Sequence, residues 1–161
     1  MSTTNESKFE AILNAIHQPA MNWQHVLSSV ITCFDCTTGT LHFLDRETTV
    51  LKLEEQVGIP DFLIPKLSEI PMGKGMAGIA AERREPIEMC NLQTDDSGVA
   101  RPSAKETKVE GSIVVPMLLN NILYGTLGIA KPVPYDFTAN EIDSLLKIGT
   151  EMSRVISAKL N

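Results

Sequence analysis

The sequence predicts an α+β fold, a central antiparallel sheet of about five strands flanked by helices. Three observations lead there. The clearest strand-like segments come in adjacent pairs joined by short turns, which antiparallel strands allow and parallel strands do not. The longest helical periodicities lie at the two ends of the chain. No βαβ unit of the doubly wound kind is present.

The elements follow in order. Phe9, Ile12, Leu13 and Ile16 fall at i, i+3, i+4 and i+7, which predicts a helix over 5–17, stopped by Pro19. A second helix over 23–36 has Val26, Leu27, Val30, Ile31 and Phe34 on its apolar face and Asn22 as N-cap. The segment GTLHFLD (39–45) reads as a strand, Arg46-Glu47 as a turn and 48–57 as the returning strand, with Leu51, Leu53 and Val57 opposite Lys52 and Glu54. Residues 60–70 read as a short helix interrupted by proline, MAGIAAERR (76–84) as a helix built on small residues, and PIEMC (86–90) as a short strand. Residues 91–111 form a polar loop, long enough to imply function or mobility. SIVVPMLL (112–119) and ILYGTLGIA (122–130) are strands joined by Asn120-Asn121, which tolerates the positive φ of a two-residue hairpin turn. The last helix, 138–160, opens with the capping box of Thr138 and Glu141.

Composition narrows the function. The chain of 161 residues carries a formal charge of −6 and no basic cluster beyond Arg83-Arg84, which argues against nucleic-acid binding. The N-terminus is polar, without the apolar segment of a secretion signal, and no apolar run is long enough to span a membrane. A cytoplasmic location is expected. Cysteines number three, at 33, 36 and 90, which does not suit a disulfide scaffold. Cys33 and Cys36 form a C-x-x-C, open to a redox pair or to packing as small hydrophobes; a closed zinc site would find only Cys90 and His42 as further ligands. No metal site is expected. His17 and His25 read as surface helix positions and His42 as a half-exposed strand residue.

PMGKGMAG (71–78) contains Gly73, Gly75 and Gly78 in the G-x-G-x-x-G spacing, and Asp95-Asp96 follows about 20 residues on, where a dinucleotide site keeps its ribose-binding acid. The context fails, because Pro65 and Pro71 spoil the preceding segment as a central parallel strand. Nor does Lys-Ser or Lys-Thr follow, as a Walker loop requires. The glycines read instead as a sharp turn into a helix, with Gly78 allowing close packing. The N–H groups of that helix could still receive a small anion.

Taken together, GTLHFLD, IPMGKGMAGIAAERREPIEMCNL, GSIVVPMLLNNILYGTLGIA and YDFTANEIDSLLKIGTEMSRVI resemble successive segments of a GAF domain. The resemblance covers most of the chain and implies a single stand-alone GAF domain over 1–161, a GAF/PAS-like sandwich whose terminal helices (5–17 and 138–160) pack together. It implies a non-catalytic regulatory module that binds a small molecule and signals through a kinase or cyclase partner, or through dimerisation. The alternatives are a redox enzyme or thiol sensor using Cys33 and Cys36, and a dimerisation module without a ligand.

Carried over residue by residue, the resemblance is selective. Of the cyclic-nucleotide signature, Lys131 and Phe137 are present, whereas Ala130, Glu141 and Ile142 depart from it; a Lys131–Glu141 ion pair is expected to survive as a strut. At the cysteine positions of GAF-type free methionine sulfoxide reductases stand Leu67, Ala77 and Lys105, so the thiol chemistry is not expected. There is no Cys-His dipeptide to attach a bilin. No cofactor is expected beyond a small ligand, a cyclic nucleotide or small anion being the candidates. The family's pocket lies between the sheet and the glycine-turn helix, which nominates Phe43, Leu53, Met76, Ile79, Met89, Asn91, Ser112, Val114 and Thr126 as its lining. Asp95, Asp96, Ser97 and Arg101 are the polar candidates on the loop, with Arg101 as the fork for an anion. A homodimer through the terminal helices is expected.

Overall fold

The computed structural model describes residues 2–160. Helices α1 (Ser2–Ile16) and α2 (Trp23–Cys33) precede the hairpin of β1 (Thr38–Asp45) and β2 (Val50–Val57). A 3-10 turn (Asp61–Leu63), the single-turn helix α3 (Ile64–Leu67) and β3 (Glu69–Pro71) lead into α4 (Gly75–Arg83) and β4 (Ile87–Met89). The long loop carries α5 (Pro102–Lys105), and β5 (Ser112–Leu119), β6 (Ile122–Ala130) and α6 (Ala139–Leu160) close the chain. All pairings are antiparallel, in the order β3-β2-β1-β6-β5-β4.

The α+β class stands, with six strands rather than five. The additional strand comes from the segment read as a helix over 60–70. Ile70 is opposite Leu51 of β2 and buried with it, and Pro71 is tolerated because β3 is an edge strand. The polar loop expected over 91–111 contains α5, one turn long and opened by Pro102.

Local chemistry sets the boundaries. Asn22 Oδ1 accepts from the His25 N–H at 3.1 Å. The Glu141 carboxylate accepts from the Thr138 N–H at 2.8 Å while Thr138 Oγ1 accepts from the Glu141 N–H at 3.1 Å. Asn120 and Asn121 take φ of 52° and 62°, as a twisted hairpin turn demands. α2 ends at Cys33, short of the 36 expected, because Asp35 turns to φ 56°. The Lys131 ammonium donates to the carbonyls of Phe34 (2.6 Å) and Asp35 (3.0 Å) at that helix end. This corrects the expected Lys131–Glu141 strut. Lys131 is committed to α2 and to the Tyr135 ring, 4.4 Å away, while Glu141 serves the capping box and the Tyr135 hydroxyl.

The sheet's two faces differ in chemistry. On one, Leu41, Ile113, Val115, Met117, Leu127 and Ile129 pack against α1, α2 and α6 through Ile12, Leu27, Val30, Leu145, Ile148 and Met152. Burying each such side chain contributes roughly 1.5–3 kcal/mol, so most of the hydrophobic stabilisation lies here. The terminal helices α1 and α6 meet on this face, where the His17 ring nitrogen lies 2.8 Å from Glu151. The other face carries the alternate residues, among them Thr38, Thr40, His42, Ser112, Val114 and Gly128. These are small or polar, and α4 cannot fill the space above them.

Candidate ligand-binding site

That space is a cavity of about 120 Å³ between the sheet and α4. Its floor is Thr38, Thr40 and His42 of β1, Ser112 and Val114 of β5, and Gly128 of β6. Leu67 and Ile70 close one side, and Arg101, Ala104, Thr107 and Val109 of the long loop form the roof.

The glycine run aims α4 at this cavity. Gly73 and Gly75 take φ of 81° and 66°, which only glycine adopts without strain, and the Gly73 N–H donates to the Gly78 carbonyl at 2.8 Å. The turn thus folds back onto the helix it starts. Lys74, Gly75, Met76 and Ala77 line the cavity, and no side chain caps the helix N-terminus at Lys74. The first N–H groups of α4 therefore present the positive end of the helix dipole.

The roof is held by its own hydrogen bonds. Gln93 Nε2 donates to the carbonyls of Lys105 (3.0 Å) and Val109 (2.7 Å), and the Lys105 ammonium donates to the Asp95 carbonyl. Asp95 Oδ2 accepts from the Ser97 N–H and hydroxyl. These bonds place Arg101 against α4, where its Cγ and Cδ occupy the room left by the missing side chain of Gly75. The Arg101 Nη1 is buried and has no hydrogen-bond partner.

His42 is the second unsatisfied group. Its Nε2 lies 2.8 Å from the Leu67 carbonyl, so Nε2 carries the hydrogen and Nδ1 is a bare acceptor without a partner. The residue is 1% exposed, and this burial lowers its pKa from the ordinary 6.5, the Leu67 bond opposing. The ring is therefore neutral at pH 7. A base with a depressed pKa in the folded state stabilises the fold fully above its unfolded value, and this contribution falls as pH drops through the folded value. Urea midpoints between pH 7 and pH 5 should accordingly decline more steeply in the native protein than in His42→Gln. Equal slopes would assign the decline to other groups.

Of the residues nominated from sequence, the structure brings Met76, Arg101, Ser112 and Val114 to the cavity. Phe43 is on the opposite face, edge-on to Trp23 at 5.3 Å between ring centres. The alternation of β1 is the reason, since Leu41 and Phe43 point to the larger core and His42 to the cavity. Met89 packs beside Met76 and Leu92 without reaching the cavity. Ile79 and Leu53 do not line it, and Asn91 spends its side-chain oxygen on the Gln93 N–H. Asp95 and Ser97 satisfy one another in the loop, and Asp96 is exposed. Thr126 lies opposite His42 on β6, buried and without a hydrogen-bond partner, just outside the lining. His42, expected half-exposed, lines the cavity and was missed by sequence reasoning, as were Thr38, Thr40 and Gly128 of the floor. The signal was the run of Thr, Thr and His alternating with Gly, Leu and Phe.

The family model for the GAF domain matches residues 23–157. The chain belongs to the GAF domain family. A comparison with curated protein sequences finds no match. Among solved structures, this GAF domain is similar to that of an Acinetobacter phosphoenolpyruvate-protein phosphotransferase, with a TM-score of 0.80 at 18% identity over 98% of this chain and 95% of the other. The corresponding domain from Coxiella burnetii gives 0.72 at 20% identity over 96% and 98%. A free methionine-R-sulfoxide reductase from Neisseria meningitidis, in complex with its substrate, gives 0.77 at 14% identity over 96% and 89%. At these identities the likeness speaks to fold.

In this GAF domain Leu67 and Ala77 line the cavity, and Lys105 stands in the roof helix. The thiols are elsewhere. Cys33 and Cys36 pack against the large core on the opposite face, and burial pushes Cys36 up to about 11 and raises Cys33 as well. Cys90 is exposed. Alkylation of the folded protein at pH 7.5 should modify exposed Cys90 first, with the half-buried Cys33 and Cys36 reacting more slowly. Rapid labelling of the pair would make them a reactive couple. Among the described residues no three His, Cys, Asp or Glu side chains are grouped to hold a metal, and no helix is long and apolar enough to cross a membrane.

Proposed function

We propose that this GAF domain is a non-catalytic small-molecule sensor whose ligand seats in the cavity on Arg101. The observation that carries the reading is the buried, unpartnered Nη1 of Arg101 at the uncapped start of α4. A buried guanidinium nitrogen without a partner is costly, and an anion at that point would relieve the cost. No cysteine lines the cavity, and the positions that would carry thiols in a reductase are Leu67, Ala77 and Lys105, which supports binding rather than catalysis.

The signal is proposed to pass to a partner such as a kinase or cyclase, or through a homodimer built on α1 and α6. Phe9, Leu13, Ile142 and Leu146 on these helices are only partly buried and form an apolar seam. Sedimentation at high micromolar concentration should give twice the 17.6 kDa chain mass. A monomer alone would remove the dimer from the proposal.

Native mass spectrometry of protein purified from cells, followed by a thermal-shift screen with cyclic nucleotides, nitrate, phosphate, carboxylates and amino acids, tests the ligand. A binder present at a hundredfold over its Kd adds about 2.7 kcal/mol, which such a screen detects. A panel with no stabilising compound and no co-purifying mass would contradict the sensor reading.

A further inference from the structure

Given that the cavity is the ligand site, we propose that it takes a short aliphatic monocarboxylate that carries no ammonium group. The charge around the cavity is one-sided. Arg101 and Lys74 line it beside the uncapped N-terminus of α4, and no Asp or Glu is among its lining residues. The close fit of the Arg101 stem over Gly75 puts the guanidinium chain and the helix end together. A carboxylate there meets a fork of donors and the positive end of the helix dipole.

An ammonium meets the reverse. It brings three donors and a charge, and burying it without an opposing charge is unfavourable. The buried, unpaired side-chain acceptor on the cavity floor is the neutral Nδ1 of His42, one lone pair without charge. A free α-amino acid would therefore place its amino group beside two cations and no anion.

Size and wall chemistry set the remainder of the ligand. Ile59, Leu67, Ile70, Met76, Leu92 and Val109 form the walls, so nitrate or phosphate would leave most of the apolar surface uncovered. The volume of about 120 Å³ is well below the roughly 300–1,000 Å³ of ordinary small-molecule pockets, which favours a chain of a few carbons over a nucleotide. One carboxylate satisfies the buried Nη1 of Arg101, and a cavity this small and apolar leaves little room for a second.

Isothermal titration of the full chain with matched compounds tests this: propanoate, pentanoate, 4-methylpentanoate, leucine, 2-aminopentanoate, 4-methylpentanamide and inorganic phosphate. One of the aliphatic carboxylates should bind at least tenfold more tightly than its amino-acid and amide counterparts and than phosphate. Arg101→Met, with an unchanged circular dichroism spectrum, should weaken that binding roughly thirtyfold. Leucine, 2-aminopentanoate or the amide binding as tightly as the matched acid would overturn the ligand class and leave the cavity a ligand site. Carboxylate binding left as tight by Arg101→Met would overturn the anchoring. If none of these compounds binds while another compound in the broad screen stabilises the protein, the class falls and the sensor reading stands. If neither experiment finds a binder, both fall.

Discussion

Gly78→Ala should destabilise the protein by about 3 kcal/mol, at the upper end of the usual cost of overpacking. At an exposed helical position the same change would stabilise by up to about 1 kcal/mol, because alanine is the better helix former. The sign reverses here for a local reason. A Cβ at Gly78 would collide with the Pro71 carbonyl oxygen and lie 3.1 Å from the Gly73 nitrogen, both of them backbone atoms that cannot swing aside. Relief would require α4 to move away from β3 and the Gly73–Gly78 hydrogen bond to open. The urea midpoint should therefore fall with an unchanged m-value. A midpoint equal to or above that of the native protein would mean that the turn does not fold back on α4 as described.

Arg101→Met should leave the unliganded protein as stable as the native one, or slightly more so, while weakening binding of an anionic ligand roughly thirtyfold. The two halves have one cause. Nη1 has no partner in the unliganded protein, so its removal forfeits no hydrogen bond, and methionine can lie in the path of the arginine stem over Gly75. With ligand present, the lost charge-assisted hydrogen bond contributes about 2 kcal/mol, or some thirtyfold in affinity. Thermal melts with and without ligand separate the two states. A large loss of stability without ligand would show that Arg101 is structural.

Much of the fold was legible because short-range chemistry marks its boundaries. The Asn22 cap, the Thr138–Glu141 box and the Asn120-Asn121 turn each satisfy or permit specific backbone groups within a few residues, and each is found where the sequence places it. β3 was hidden because three residues ending in proline have no strand signature until β2 offers an edge. Lys131 was misassigned for a related reason. Its partners are carbonyls nearly a hundred positions away at the end of α2, whereas the resemblance to the cyclic-nucleotide signature pointed to Glu141.

The site was half legible. Met76 and Arg101 could be named because the glycine turn and the loop point to them. Phe43 was nominated for the family's pocket, but this sheet has two interiors and Phe43 faces the other one. The sheet's larger side chains fill that one, packed against α1, α2 and α6. The ligand face keeps Thr40, His42, Ser112 and Gly128, and their small volume or polarity is what leaves the cavity open. In such a sandwich, the strand face that appears poorly suited to a core is the one to search for a ligand.

The central claim is that a small ligand occupies the face of the sheet beneath α4, and methyl NMR reads it directly. The chain has seven methionines. Met76 lines the cavity, whereas Met117 and Met152 are fully buried in the opposite core. With methyl-labelled methionine and the Met76 signal assigned by Met76→Leu, saturating 4-methylpentanoate should shift Met76 strongly and leave Met117 and Met152 in place. No stabilising compound from the screen moving Met76, or the main shift falling on Met117 and Met152, would contradict the account.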